Sequence, residues 1–158
     1  MLKPAILYKE EIVKKSFELF YSKDYMYYMG TEECWPINIR DNSEYGEFQY
    51  AVLNKDEELV GYIAYRIDWH SLRAYNFGLI SFKKGDLTVP KELDKILTDL
   101  IGYTHMIEWH AVADNPATKA YDRFMKKYNG CRYEIHDVFK DKYGDYHNMY
   151  TYEVRGKK

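Results

Sequence analysis

The stretch that decides the fold is Ile107 to Gly130, IEWHAVADNPATKAYDRFMKKYNG. Ile107, Trp109, Ala111 and Ala113 alternate with Met106, Glu108, His110 and Val112. The first set is wholly apolar and the second half so, the pattern of a central strand covered on both faces. Asn115 is an N-cap whose side-chain oxygen can accept from an orphan N–H, and Pro116 sits where a missing N–H costs nothing, so a helix is expected to start there. Ala117, Ala120, Tyr121, Phe124, Met125 and Tyr128 then fall on one helical stripe, and Asn129-Gly130 supplies a left-handed stop.

On the C-terminal side, Arg132 to Lys140 and Tyr146 to Val154 form a closing hairpin through Tyr143-Gly144-Asp145. On the N-terminal side, KKGDLTVPKELDKILTDLIG (residues 83–102) carries Leu93, Ile96, Leu97, Leu100 and Ile101 at helical spacing, with Thr88 as a cap, Pro90 in the first turn and Gly102 at the end. Three strands precede it: Phe48 to Asn54, Leu59 to Asp68 and Ala74 to Phe82, joined by the polar turns Lys55-Asp56-Glu57-Glu58 and DWHSLR. Ile12, Val13, Ser16, Phe17 and Phe20 define a first helix over about Glu10 to Tyr21. Asp24 to Met29 reads as a second short helix, Ala5 to Tyr8 as a lead-in edge strand, and Thr31 to Gly46 as a loop.

The order is helices, βββ, α, β, α, ββ. The strands before and after the helix of residues 88–101 are joined by a crossover, so they run parallel in an otherwise antiparallel sheet. This predicts one α/β (α+β) domain over residues 1–158, with a mixed sheet of six to seven strands and helices on both faces. The ligand site is expected at the carboxyl ends of the parallel pair.

Composition narrows the partners. A net charge of -2 gives no global attraction for nucleic acid. Cys34 and Cys131 fit no metal or CxxC spacing, and the five histidines show no HxH or HExxH pattern, so no metal is expected. The start MLKPAILYKEE lacks an apolar signal core, and no run reaches membrane-spanning length, which predicts a cytoplasmic protein without a membrane partner. The 18 tyrosines are scattered rather than patterned for base stacking, so most are expected to be structural.

The element order together with the DNPATKAYDRF stretch resembles the GNAT superfamily of acyl-CoA-dependent N-acyltransferases, over roughly Phe48 to the chain end. That resemblance implies a splayed parallel pair, a coenzyme A pyrophosphate held by the loop LISFKKGDLTVPKEL, and an acetyl group moved directly from acetyl-CoA to the amine of a small molecule or peptide by a monomer or homodimer. It implies that Leu79, Ile80, Ser81 and Phe82 offer backbone groups to the pantetheine arm, that Lys84 and Gly85 with Lys83 and the helix dipole meet the phosphates, and that Asn115 contacts the cofactor. Tyr121, seven residues after Asp114 and six after Asn115, either of which can be the signature's reference position, would be both a cofactor contact and the catalytic acid that protonates the thiolate. At that spacing Tyr121 also fits the buried stripe, and Asn115 also serves as a plain cap. The sequence departs from the family loop, Gln/Arg-x-x-Gly-x-Gly/Ala: Gly85 is the only glycine between strand and helix, and Val89 narrows the site. The fourth strand carries no carboxylate, leaving Glu33, Asp68, His70 or a water as base. His110 reads as a hydrogen-bonded interior residue. The resemblance also leaves open a GNAT-like acyl-CoA-binding or protein-interaction module without turnover.

Overall fold

The structure is a computed structural model, and it describes residues 1–20, 27, 37–42, 45–141 and 143–156. Its centre is a seven-stranded mixed sheet in the order β1-β2-β3-β4-β5-β7-β6. The strands are β1 (Leu2–Pro4), β2 (Glu47–Leu53), β3 (Leu59–Asp68), β4 (Arg73–Ser81), β5 (Met106–Val112), β6 (Cys131–Lys140) and β7 (Tyr146–Arg155). The helices are α1 (Lys9–Phe20), α2 (Thr88–Ile101) and α3 (Thr118–Tyr128). All neighbours are antiparallel except β4 and β5, as the crossover through α2 requires.

The sheet is covered on both faces. Alternate residues of β3, Ile63, Tyr65 and Ile67, join one core with Val89, Leu93, Ile96, Leu97 and Leu100 of α2 and Tyr121, Phe124 and Met125 of α3. The intervening residues Tyr62 and Ala64 face the other way, into a core with Ile12 of α1, Ile39, Ala51 and Leu53. On β5 the expected apolar set, Ile107, Trp109 and Ala111, lies on the α2/α3 face.

Two expectations are corrected. Ala5 to Tyr8 is a single 3-10 turn, not a strand; the edge strand is Leu2–Pro4, pairing with Val52, Ala51 and Tyr50. Pro4 ends that strand because it cannot donate to a further ladder bond. Helix α3 begins at Thr118 and not at Pro116. Asn115 caps the preceding turn: its Oδ1 accepts from the N–H of Ala117 at 2.9 Å, and its carbonyl accepts from the N–H and hydroxyl of Thr118 at 3.0 and 2.8 Å. Apart from Tyr27, the short helix expected over Asp24 to Met29 lies outside the described residues, as do most of the loop after it and Cys34. Cys131 is an exposed free thiol.

Two irregularities shape the middle of the sheet. Between β3 and β4 the register passes from Ala64↔Gly78 to Arg66↔Tyr75, so Asn76 and Phe77 together oppose Tyr65. This is a β-bulge, and Asn76 takes the left-handed φ of 55° that a bulge of this kind asks of a short polar residue. Beyond it, the β4–β5 ladder does not continue: the parallel pairs are Arg73↔Met106 and Ala74↔Ile107 alone. β5 meanwhile stays paired with β7 along its whole length, from Met106↔Arg155 to Val112↔Met149.

At Gly61 on β3 the Val89 side chain of α2 packs directly against the strand. A Cβ there would run into Val89 Cγ2 and stand 2.7 Å from the Ile80 carbonyl oxygen. Gly61→Ala is therefore expected to destabilise the fold by about 1–3 kcal/mol through overpacking, read as a lower denaturant midpoint at unchanged slope.

Candidate active site

Where β4 and β5 part, the ladder patterns on their outer sides tell which backbone groups are left facing the gap. The Phe82 N–H donates to the Val60 carbonyl at 2.9 Å, which makes Phe82 a hydrogen-bonded position against β3 and, by alternation, Ile80 and Gly78 as well. Leu79 and Ser81 therefore turn their N–H and C=O toward β5. On the other side the Ala113 N–H donates to Asn148 O at 2.9 Å, and the Gly156 N–H to His105 O at 3.0 Å. The odd-numbered residues of β5 thus bond β7, and His110 and Val112 present their main-chain groups to the gap. None of these four has a ladder partner there among the described residues. Of the four residues expected to line the slot, Leu79 and Ser81 face it, whereas Ile80 and Phe82 bond toward β3.

The gap is bounded on the α2/α3 face by aromatic rings. Phe48, Tyr65, Phe77, Trp109 and Tyr152, one from each of β2, β3, β4, β5 and β7, form a row with centroid spacings of 5.1, 5.3, 6.5 and 5.2 Å. The widest step, from Phe77 to Trp109, crosses the gap edge-on. Tyr121 of α3 is buried behind this row, 5.8 Å from the Trp109 ring and 5.5 Å from Tyr152, both T-shaped. It lies one ring from the gap as well as in the helix stripe. The Trp109 indole N–H is buried with no hydrogen-bond partner among the described residues, an uncompensated donor beside the opening.

The loop after β4 carries Lys84 and Gly85 at the surface, with Gly85 at φ 81° making the turn. Lys83 is already engaged: its Nζ lies 2.6 Å from Glu58 Oε2, and that partner holds the ammonium above its ordinary pKa and the carboxyl below its own. At the start of α2, Asp86 Oδ1 accepts the Thr88 N–H at 2.7 Å. The Thr88 hydroxyl and N–H together keep the Asp86 carboxyl below the usual range. Thr88 thus donates rather than caps, and the acceptor is Asp86, one residue before the N-cap Leu87, the reverse of the sequence expectation.

On the face opposite α2 and α3, polar side chains gather beside the same gap. His110 Nδ1 lies 3.0 Å from Thr151 Oγ1, and Nε2 lies 3.5 Å from Glu108 Oε1. Glu108 is paired in turn with Arg73 at 3.4 Å. His110 is hydrogen-bonded, as the sequence suggests, yet half-exposed and at the opening. Asp68 and His70 sit instead in the β3–β4 turn, where Asp68 accepts from the His70 N–H at 2.9 Å and the Ser71 hydroxyl at 2.7 Å. About 20 Å of extended strand, Arg73 to Leu79, separates that turn from the opening. Glu33 lies outside the described residues. Among the described residues no His, Cys, Asp or Glu cluster could hold a metal ion, and no helix is long and apolar enough to cross a membrane.

A clasp closes the site's outer end. His147 of β7 stands between Asp114, at the end of β5 (Nδ1–Oδ2 3.0 Å), and Asp141, before the β6–β7 turn (Nε2–Oδ2 3.3 Å). Burial alone would raise Asp141, but the N–H groups of Asp145 and Tyr143 and the imidazole outweigh it and hold the carboxyl low. The two carboxylates raise the His147 pKa.

Comparison with known proteins agrees at the level of the fold. The sequence matches no family model, and no curated protein matches it. Among solved structures, the apo ribosomal L7/L12 α-N-protein acetyltransferase RimL superposes with a TM-score of 0.63 at 14% identity, over 99% of this chain and 93% of that one. A spermidine N-acetyltransferase SpeG chimera from Vibrio cholerae and hSSAT gives 0.60 at 18% identity, over 99% and 96%. RimL in complex with coenzyme A gives 0.56 at 18% identity, over 70% of this chain; the match spans 62% of that protein's length. The chain shares the fold of these N-acetyltransferase structures.

The clasp has a pH signature. Because the folded chain favours the imidazolium, its stabilisation is complete below the unfolded histidine value of about 6.5 and fades as pH rises through the higher folded value. The melting temperature of wild type minus that of His147→Gln should be largest near pH 5.5 and shrink on raising the pH to about 8. A difference that grows over that interval would contradict the clasp.

Proposed function

We propose that the protein is an N-acetyltransferase that takes an acetyl group from a pantetheine thioester, acetyl-CoA in the first instance, and passes it directly to a primary amine. The observation that carries this reading is the gap between β4 and β5, with the main-chain groups of Leu79 and Ser81 on one side and His110 and Val112 on the other. An extended arm rich in amides satisfies such a slot as an added strand would. The donor supplies an activated acyl group; the chain's own residues do the rest. Main-chain N–H groups lining the gap meet the negative charge that develops on the carbonyl oxygen as the amine attacks. In the tautomer that carries its proton on Nδ1, toward Thr151, His110 has an Nε2 lone pair to take the amine proton, with the Glu108 carboxylate 3.5 Å away. Tyr121 gives its proton to the sulfur as the C–S bond breaks. We take the protein to act in the cytoplasm, as a monomer or homodimer.

A second reading, a GNAT-like binding or interaction module without turnover, is favoured by one observation: the Asp86 carboxylate occupies the start of α2. Incubation with acetyl-CoA and a panel of amines separates the two. Under the first reading free thiol is released in step with amine acetylation, and a panel without release leaves the second. Tyr121→Phe should slow release roughly 100-fold, the lower end for a general acid because a thiolate leaves readily. His110→Gln should lower the rate most at neutral pH, with the deficit narrowing as pH rises and the amine loses its proton unaided.

A further inference from the structure

Coenzyme A has two recognisable ends, a neutral pantetheine arm bearing the thioester and a nucleotide end bearing the phosphates. The gap between β4 and β5 suits the first. The start of α2, where the second would lie, does not.

A helix start binds phosphate through its free N–H groups and its dipole. Here the first four positions are Thr88, Val89, Pro90 and Lys91. The Thr88 N–H is spent on Asp86 Oδ1 at 2.7 Å, the Lys91 N–H on the Leu87 carbonyl at 3.2 Å, and Pro90 has none. Val89, 1% exposed, and the N-cap Leu87 carry the two N–H groups left at this helix start. The Asp86 carboxylate puts a negative charge at the positive end of the helix dipole, where a phosphate would otherwise sit. Lys83 is neutralised by Glu58 at 2.6 Å. No glycine occurs between Asp86 and Ile101 to let a bulky anion near the backbone. Lys84 is the one cation of residues 82–87 whose charge is not already matched at contact distance.

Building on the acetyltransferase reading, we infer that this chain grips its acyl donor by the pantetheine arm alone, and that Asp86 works against the phosphates of a nucleotide-bearing donor. The substrate class is therefore pantetheine thioesters at large, with or without a nucleotide, and Asp86 is a specificity-determining residue.

The experiment compares acetyl-CoA with acetyl-pantetheine, by kcat/KM for thiol release and by melting-temperature shift, in wild type and in Asp86→Asn. The asparagine keeps an oxygen to accept the Thr88 N–H while losing the charge, so the bond at the helix start is kept. In wild type the two donors should lie within about 3-fold of each other. Asp86→Asn should tighten acetyl-CoA about 5- to 10-fold and leave acetyl-pantetheine unchanged, the effect of lifting one like charge beside a phosphate. A wild-type preference for acetyl-CoA of about 30-fold or more, or a folded Asp86→Asn that treats both donors as wild type does, overturns the inference while the acetyltransferase reading stands. If neither donor shifts the melting temperature or releases thiol, both fall together.

Discussion

One extra residue in one strand governs the rest of this molecule. Opposite Tyr65, β4 spends two residues, Asn76 and Phe77, where regular pairing would spend one. The added length bends β4 and increases its twist. Before that point β4 follows both neighbours, through Arg73↔Met106 and Ala74↔Ile107; after it, β4 follows β3 alone. β5, locked to β7 over seven consecutive pairs, cannot follow the bend. The gap is thus the outcome of two continuous ladders pulling apart at a single irregularity. Asn76 can hold a left-handed φ at a cost that a β-branched or bulky residue at that position would not tolerate cheaply.

A break in a sheet exposes backbone groups and weakens the core beneath, and the structure offsets the second effect with rings. Phe77, displaced by the bulge onto the α2/α3 face, meets Trp109 edge-on at 6.5 Å, while the steps on either side are stacked at 5.3 and 5.2 Å. Each such pair adds about 0.5–1.5 kcal/mol beyond the area it buries, and the one that crosses the gap ties the two half-sheets where no ladder does. Tyr121 and Phe124 of α3 pack on Trp109 from behind. The tyrosine content, which composition alone marks as unusual, is in part this row.

What the sequence discloses and what it hides divide along a physical line. Elements set by local periodicity were legible: β3 is Leu59–Asp68 as read, and α2 begins at the residue read as its cap, Thr88. The parallel pair and its place in a mixed sheet also followed, because a crossover helix allows little else. Single-turn details were not. Ala5 to Tyr8 has the composition of a strand but follows Pro4, and its backbone closes into a 3-10 turn. The Asn-Pro junction reads as a helix start, yet Asn115 bonds Ala117 and Thr118 first, delaying the helix to Thr118. Nothing in the residues 73–82 announces the bulge, since it is a matter of register between strands. The polar groupings beside the gap join residues 41 apart for His110 and Thr151 and 33 apart for Asp114 and His147. Spacing along the chain could not have shown either.

The two ends of the slot differ in kind. At its inner end the groups on offer are main-chain amides and the His110 imidazole, all directional. At its outer end the charges other than Lys84 are matched among themselves: Lys83 to Glu58, His147 to Asp114 and Asp141, and Asp86 to the start of α2. A matched exposed charge has little left for a ligand, because binding must first break the existing pair. Directional neutral groups without a ladder partner have the opposite property, since a ligand that satisfies them displaces only water. The selectivity of the site therefore belongs to hydrogen bonding along the gap and owes little to electrostatic attraction at its mouth.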